Sequence, residues 1–143
     1  MSDRLILTAT DEELRGFADR WMARLAAEDY AGAFEMLEPR PSHPGQSWCV
    51  DAADLRAWIE GDGTNEPASD EPAHKVSRIA DTEGEPLPSQ DILRGGRPHY
   101  PGFVARIDFW LPLDGEWSDL MASIDFVDID GQLAAVLVAL RVP

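Results

Sequence analysis

The sequence predicts an α+β domain in which three amphipathic helices precede a three-stranded antiparallel meander. The meander is indicated by two Asp-Gly dipeptides, Asp114-Gly115 and Asp130-Gly131, each lying between apolar runs. An Asp-Gly pair supplies the two positive-φ positions of a type I′ turn, whose twist suits a two-residue hairpin. We therefore expect strands over residues 103–113, 116–129 and 132–142. The helices are indicated by apolar residues at helical spacing in the amino-terminal part of the chain.

If Asp114 and Gly115 form the whole first loop, the strand pairing can be derived from the sequence. Leu113 then faces Glu116, and further pairs follow along the strands: Phe103 with Phe126, Ala105 with Ile124, Ile107 with Ala122, and Phe109 with Leu120. The second turn gives three more pairs: Phe126 with Ala135, Ile124 with Leu137, and Ala122 with Ala139. Small residues alternate with large ones, as a packed face requires, so one face of the meander is predicted to be core.

The opposite face of the meander is mixed in character. It carries Arg106, Asp108 and Asp125, with Arg106 diagonal to Asp125. This charge cluster is either a solvated ion-pair patch of small energetic weight or the polar end of a pocket. The last strand is apolar on this face as well, through Ala134, Val136, Val138, Leu140 and Val142. A one-sided sheet does not need such residues, so we expect a helix of this chain or a second subunit to cover them.

Length and composition bound the classes of function. A chain of 143 residues is about one domain, and we predict a single domain over residues 1–143. The net charge of −15 repels phosphate backbones and anionic membranes and favours a basic protein partner, so nucleic-acid and membrane binding are not expected. No signal-peptide pattern is present and Cys49 is the single cysteine, so we predict a cytoplasmic protein.

The first helix has a clear start and a clear buried side. Thr10 and Glu13 form a capping-box pattern, which predicts a helix over residues 11–27. Its apolar residues recur at helical spacing: Leu14, Phe17, Ala18, Trp21, Met22 and Leu25. We expect this side of the helix to face the core.

Two shorter helices follow. One starts near Asp29 and stops by Glu38, because Pro39 disfavours helical geometry in the residue before it. Its apolar residues are Tyr30, Ala33, Phe34 and Leu37. Asp51 caps the next helix, which Gly61 ends. The inward residues of that helix are Leu55, Trp58 and Ile59.

The remaining segments carry weaker signals. Residues 47–50 predict a short edge strand, and residues 60–71 predict an acidic loop. Residues 74–81 alternate weakly and predict a strand with four residues on one face: His74, Val76, Arg78 and Ala80. Residues 82–102 are rich in proline and glycine, and they predict a long loop of the kind that serves as a lid or stays disordered.

This order of elements resembles the nuclear-transport-factor-2-like superfamily, the cone-shaped α+β fold shared with ketosteroid isomerases. The resemblance is carried by the passage from the first helix to the second, in the residues Trp21, Leu25, Asp29, Tyr30, Ala33, Phe34 and Leu37. It implies a curved antiparallel sheet that wraps the first helix and leaves a pocket at its open end. Many members pair through the outer sheet face, which implies a homodimer. Function varies widely within the superfamily, so the fold alone decides little.

The resemblance also implies candidates for acid–base chemistry. Ketosteroid-isomerase relatives use a carboxylate base with acidic donors in an apolar pocket, which makes Asp108 or Asp125 the candidate catalytic base. Tyr30, Tyr100 or Trp110 would then act as a donor or a wall. The alternative, which we favour, is that aspartate alternating with apolar residues only marks the outer face of a half-buried strand.

Other chemistry is not indicated by any motif. The three histidines lack the spacing of metal ligands, so no metal and no cofactor are expected. Five tryptophans in one domain suggest a ligand pocket, because indoles line ligand clefts. Our candidate ligand-binding residues are Trp48, Tyr100, Arg106 and Trp110.

The sequence therefore supports two classes of function. The first is a non-catalytic, homodimeric binding module that uses a pocket for a small apolar ligand or its acidic surface for a basic protein. One version is an immunity-type protein that neutralises a basic toxin. The second is a small cofactor-independent isomerase, cyclase or dehydratase. We favour the first class, because no acid–base residue lies at a motif-defined spacing.

Overall fold

The computed structural model describes residues 4–38, 51–61, 73–83, 91–94 and 102–142. The helices are α1 (Asp11–Ala26), α2 (Tyr30–Glu35) and α3 (Ala52–Glu60), with a 3₁₀ helix at Ile79–Asp81. The strands are β1 (Leu5–Ile6), β2 (Asp91–Arg94), β3 (Phe103–Leu113), β4 (Glu116–Ile129) and β5 (Gln132–Arg141). They form one strongly curled antiparallel sheet, a half-barrel in the order β1-β5-β4-β3-β2. The predicted α+β cone-like fold is confirmed.

Helix α1 begins as the capping pattern predicts. The Glu13 N–H donates to the Thr10 hydroxyl at 3.2 Å, and the Thr10 N–H donates to the Glu13 carboxylate at 3.3 Å. The predicted core side is confirmed, because all six of its residues are buried: Leu14, Phe17, Ala18, Trp21, Met22 and Leu25. The helix ends at Ala26, one residue before the predicted boundary.

Helices α2 and α3 are also capped by the predicted aspartates. Asp29 accepts a hydrogen bond from the Gly32 N–H at 2.9 Å, and Asp51 accepts one from the Asp54 N–H at 2.8 Å. A Cβ at Gly32 would collide with the Asp29 carboxylate, so the cap itself favours glycine at that position. The helix after Asp51 ends at Gly61, as predicted.

The two Asp-Gly turns adopt the conformation that the sequence predicts. Asp114 and Gly115 have φ values of 55° and 86°, and Asp130 and Gly131 have φ values of 54° and 80°. These positive angles are those of type I′ turns. The three strands of the meander match the predicted ranges to within one residue.

The pairing of β3 with β4 is as predicted only beside the turn. Leu113 faces Glu116, but further along the partners differ: Phe103 faces Val127, Ala105 faces Phe126, Ile107 faces Ile124, and Phe109 faces Ala122. The predicted partners Phe126, Ile124, Ala122 and Leu120 are therefore wrong. From Ala105 to Phe109 the shift amounts to two residues, so these side chains keep their predicted face, and Phe109 and Leu120 lie in the same core. A second register shift between Phe103 and Ala105 reverses the alternation, so Phe103 faces Val127 and has Arg106 over its ring at 6.0 Å. The predicted place of Phe103 on the core face is therefore wrong.

A bulge near the first turn causes the shift of two residues, and Ser118 bonds to backbone groups on both strands beside it. The register changes between Trp110 and Pro112, and Pro112 has no N–H to donate to the ladder. The Ser118 hydroxyl instead donates to the Leu111 carbonyl at 2.6 Å and accepts from the Leu120 N–H at 3.1 Å. One serine therefore satisfies backbone groups that a regular ladder would pair.

The pairing of β4 with β5 follows the prediction at Phe126–Ala135 and Ile124–Leu137. Beyond these pairs, an extra residue at Val138 shifts the register, so Ala122 faces Leu140 and not Ala139. A shift of one residue reverses the faces of the strand. Leu140, which we predicted on the outer face, is therefore in the core with 2% of its surface exposed.

Helix α1 packs on the predicted apolar face of the sheet through two aromatic contacts. The rings of Phe17 and Phe126 meet edge to face at 5.5 Å, and those of Trp21 and Phe109 at 5.9 Å. These contacts establish which sheet face meets the helices. The indole N–H of Trp21 is buried and has no hydrogen-bond partner among the residues that the structure describes.

The predicted strand over residues 74–81 is wrong. Val76 forms a single isolated bridge with Leu113, and the chain then turns into the 3₁₀ helix at Ile79–Asp81. Val76 is buried, whereas Arg78 is exposed and pairs with Asp81 at 2.6 Å. The two side chains therefore do not share the face that alternation predicted.

Two short edge strands were not predicted. Residues 91–94 lie in the predicted long loop but pair with residues 105–108 of β3 as strand β2. Strand β1 pairs with the start of β5. Arg94 connects β2 to the start of α1, since it donates to the Ala9 carbonyl at 2.6 Å and to Asp11 at 2.5 Å. The predicted strand over 47–50 lies outside the described residues.

Candidate functional site

The predicted catalytic carboxylates lie on the sheet face that points away from α1. Arg106 and Asp125 face each other across β3 and β4, between pairs that belong to the core. Arg106 donates two hydrogen bonds to the Asp125 carboxylate, at 2.6 and 3.1 Å. Asp108 accepts a hydrogen bond from the Ser123 hydroxyl at 2.5 Å.

This group is not a solvated ion-pair patch. Asp125 has 0% of its surface exposed, whereas the Arg106 side chain is 30% exposed. A general base must come within hydrogen-bonding distance of the proton that it removes. Asp125 offers a substrate no exposed surface, and Arg106 contacts both of its oxygens. The geometry therefore suits Asp125 to orienting Arg106 rather than to proton transfer.

The other predicted site residues are not brought together in the described part of the chain. Tyr30 is buried in the core at the start of α2, with the Arg56 guanidinium over its ring at 5.6 Å. Burial raises the pKa of the Tyr30 phenol, and Glu60 and Glu28 raise it further. Trp110 is half-buried opposite Met121 on the outer face.

Trp48 and Tyr100 lie outside the described residues, so their assignment as ligand-binding residues stays a prediction. Arg106 and Trp110 share the outer face of β3. They do not face the buried aromatic residues that pack on α1.

The basic residues of the described segments are largely held in ion pairs. Among the residues that the structure describes, seven lysine and arginine side chains contact a carboxylate: Arg4 with Glu38, Arg24 with Asp29, Arg56 with Glu60, Lys75 with Glu28, Arg78 with Asp81, Arg94 with Asp11, and Arg106 with Asp125. The chain has 27 acidic residues, so these pairs leave a large excess of carboxylates. The surface that a partner meets is therefore dominated by negative charge.

A cleft that sequence reasoning missed lies between α1 and residues 77–79. It encloses about 160 Å³ and is lined by Asp19, Met22, Ala23, Ser77, Arg78 and Ile79. Ile79 is 45% exposed at this cleft. Pockets for drug-sized ligands enclose roughly 300–1,000 Å³, so the cleft is better matched to a single side chain.

The wall of this cleft is held in place by residues 73–83, which we call the strap. Its backbone bonds to the β3–β4 hairpin through the Asp114 N–H to the Lys75 carbonyl at 2.9 Å and the Ser77 N–H to the Pro112 carbonyl at 2.9 Å. The Nδ1 atom of His74 also lies 2.7 Å from the Asp114 carboxylate. The strap is therefore tied to the hairpin, and the cleft is preformed.

The described segments hold neither a cluster of metal ligands nor a helix that could span a membrane. No three of the histidine, cysteine, aspartate and glutamate residues placed there come together as metal ligands would. None of the helices described above is both long and apolar enough to cross a membrane.

Comparisons with known proteins give no match. No protein-family model, curated protein or solved structure is significantly similar to this chain. The resemblance to the nuclear-transport-factor-2-like superfamily is therefore carried by the order of elements and by the residues between Trp21 and Leu37.

Proposed function

We propose that this domain is a non-catalytic binding module that recognises a basic segment of a protein partner. The observation that supports the proposal is the pairing of positive charge described above. Seven cations are already neutralised by carboxylates of the same chain, in a protein whose net charge is −15. A basic partner would meet a predominantly negative field, which speeds association and favours it over an acidic competitor.

The geometry gives less support to an isomerase, cyclase or dehydratase. Asp125 is buried against Arg106, and Asp108 is bonded to Ser123. Neither carboxylate lies on the sheet face that packs on α1, where the resemblance implies an apolar pocket. The enzyme thus stays the alternative without an observation in its favour.

Two other predictions keep only the support that the resemblance gives them. Val127, Ala134 and Val136 form an apolar cluster on the outer face, and all three are buried within one chain. Their burial therefore does not require a second subunit. Light scattering would distinguish a chain of 15.8 kDa from a homodimer. A small apolar ligand is likewise still a prediction, and a basic toxin would be one form of the proposed partner.

The proposal is tested by fluorescence polarisation with a labelled lysine-rich peptide. We expect the peptide to bind, and its affinity to fall about tenfold or more as ionic strength rises from about 0.01 to 0.15 M, because the Debye length shortens from about 30 to 8 Å. The same peptide with acetylated lysines is the matched control. Binding that is indifferent to salt, or equal for the acetylated peptide, would contradict the proposal.

A further inference from the structure

We infer that the cleft between α1 and the strap receives one apolar side chain of the partner, next to a basic residue of the same segment. This inference rests on the proposed function and assigns it a location. The apolar part of its lining is formed by Met22, Ala23 and Ile79. Its volume of about 160 Å³ suits one inserted side chain better than a separate ligand.

The polar side chains of the strap at the cleft already form a hydrogen bond or an ion pair within the protein. The Ser77 hydroxyl accepts a hydrogen bond from the Gly115 N–H at 2.5 Å. The Arg78 guanidinium pairs with Asp81 at 2.6 Å. With these groups engaged, what the strap offers to an incoming side chain is mainly the apolar surface of Ile79.

The charges around the cleft indicate which type of residue would lie beside the inserted apolar side chain. Asp19 places an exposed carboxylate at the cleft, and Glu83 and Glu116 add exposed carboxylates on the strap and the hairpin. The two cations of the strap, Lys75 and Arg78, are both paired with carboxylates. Charge complementarity therefore favours lysine or arginine beside the apolar side chain.

The cleft is also preorganised for binding. The strap is bonded to the hairpin through Asp114, Pro112 and Gly115, with the Glu83 N–H donating to the Gly115 carbonyl at 2.8 Å. A preformed site loses little conformational entropy when it is occupied, so the apolar contact contributes to affinity. Burying one leucine side chain should strengthen binding by about tenfold.

The experiment compares two lysine-rich peptides that differ only in one residue, leucine or serine. Ala23→Phe fills the cleft from an exposed position of α1, and Ala53→Phe makes the same change at an exposed position of α3. We expect the wild-type protein to prefer the leucine peptide by about tenfold. We expect Ala23→Phe to abolish this preference without weakening the serine peptide, and Ala53→Phe to keep it.

The outcomes separate the inference from the proposed function. If the wild-type protein binds the leucine and serine peptides equally, or if Ala53→Phe loses the preference as Ala23→Phe does, the cleft is not the docking site, although the basic-partner proposal stands. If neither peptide binds, the proposed function fails and the inference fails with it. Circular dichroism of both variants confirms that the fold is retained.

Discussion

Asp125 and Arg106 differ in burial, and this difference determines how much stability the protein should lose when Asp125 is replaced. Asp125 is fully buried, whereas the Arg106 side chain keeps 30% of its exposure. Removing one partner of a buried pair leaves an uncompensated charge. We expect Asp125→Ala to lower the free energy of unfolding by about 2–3 kcal/mol, somewhat less than for a fully buried pair, because Arg106 retains contact with water. Urea denaturation measures this change.

The matched control is Asp119→Ala, which removes the same side chain from an exposed position of the same strand. We expect a change within about 0.5 kcal/mol, as for most surface substitutions. Equal effects of the two substitutions would show that burial against Arg106 does not stabilise the fold.

Side chains whose partners are close in sequence could be predicted, and those with distant partners could not. Thr10 and Glu13 bond to each other across one helical turn, so their pattern is visible in the sequence. The burial of Asp125 depends on residues from other parts of the chain. Alternation placed Asp125 on the outer face but could not show that this part of the face is closed to solvent.

Replacing a glycine by alanine should have opposite effects on stability in a helix and in a tight turn, as Gly16 and Gly131 illustrate. Gly16 lies inside α1, where a Cβ would meet only Arg20 at 3.5 Å, an ordinary contact. Gly131 has φ of 80° in the second turn, with nothing within 4 Å of a Cβ. We expect Gly16→Ala to stabilise the protein by about 0.5–1 kcal/mol and Gly131→Ala to destabilise it by about 1–2 kcal/mol.

Thermal or urea unfolding of both variants tests these signs. A destabilised Gly16→Ala would mean that α1 gains nothing from helix propensity at this position. A neutral Gly131→Ala would mean that the turn changes type at little cost.

Among the elements of the fold, the sequence predicted the turns but not the bulges. A type I′ turn is specified by two adjacent residues, so Asp114-Gly115 was sufficient. The first bulge depends on Ser118 bonding across the hairpin to Leu111, which no local pattern shows. The strap was misread for a similar reason, because its few backbone bonds to the hairpin stop short of a ladder.

For the whole molecule, screening of charge by salt should raise the stability of the fold and weaken the binding of a basic peptide. The net charge of −15 makes the folded chain repel itself, and salt weakens that repulsion. We expect the unfolding midpoint in urea to rise as sodium chloride is raised from about 0.01 to 0.15 M, over the range where peptide binding falls. A midpoint that falls with salt would indicate that the surface ion pairs outweigh the net repulsion.

The candidate cleft depends on how distant parts of the whole chain pack together, and for this reason the sequence did not reveal it. The cleft needs α1 and residues 77–79 to lie side by side, although they are far apart in the chain. The sequence predicted the curled sheet and the helix that it holds. It could not predict where a short segment with little regular structure would rest on that helix.

The extra residue at Val138 also constrains how this protein can change over time. Leu137 and Leu140 lie three positions apart and both point into the core, which regular alternation forbids, so a strand of the present length needs the bulge. Removing Val138 would restore regular alternation and still leave Leu140 opposite Ala122. Straightening β5 without shortening it would instead turn Leu140 away from the core.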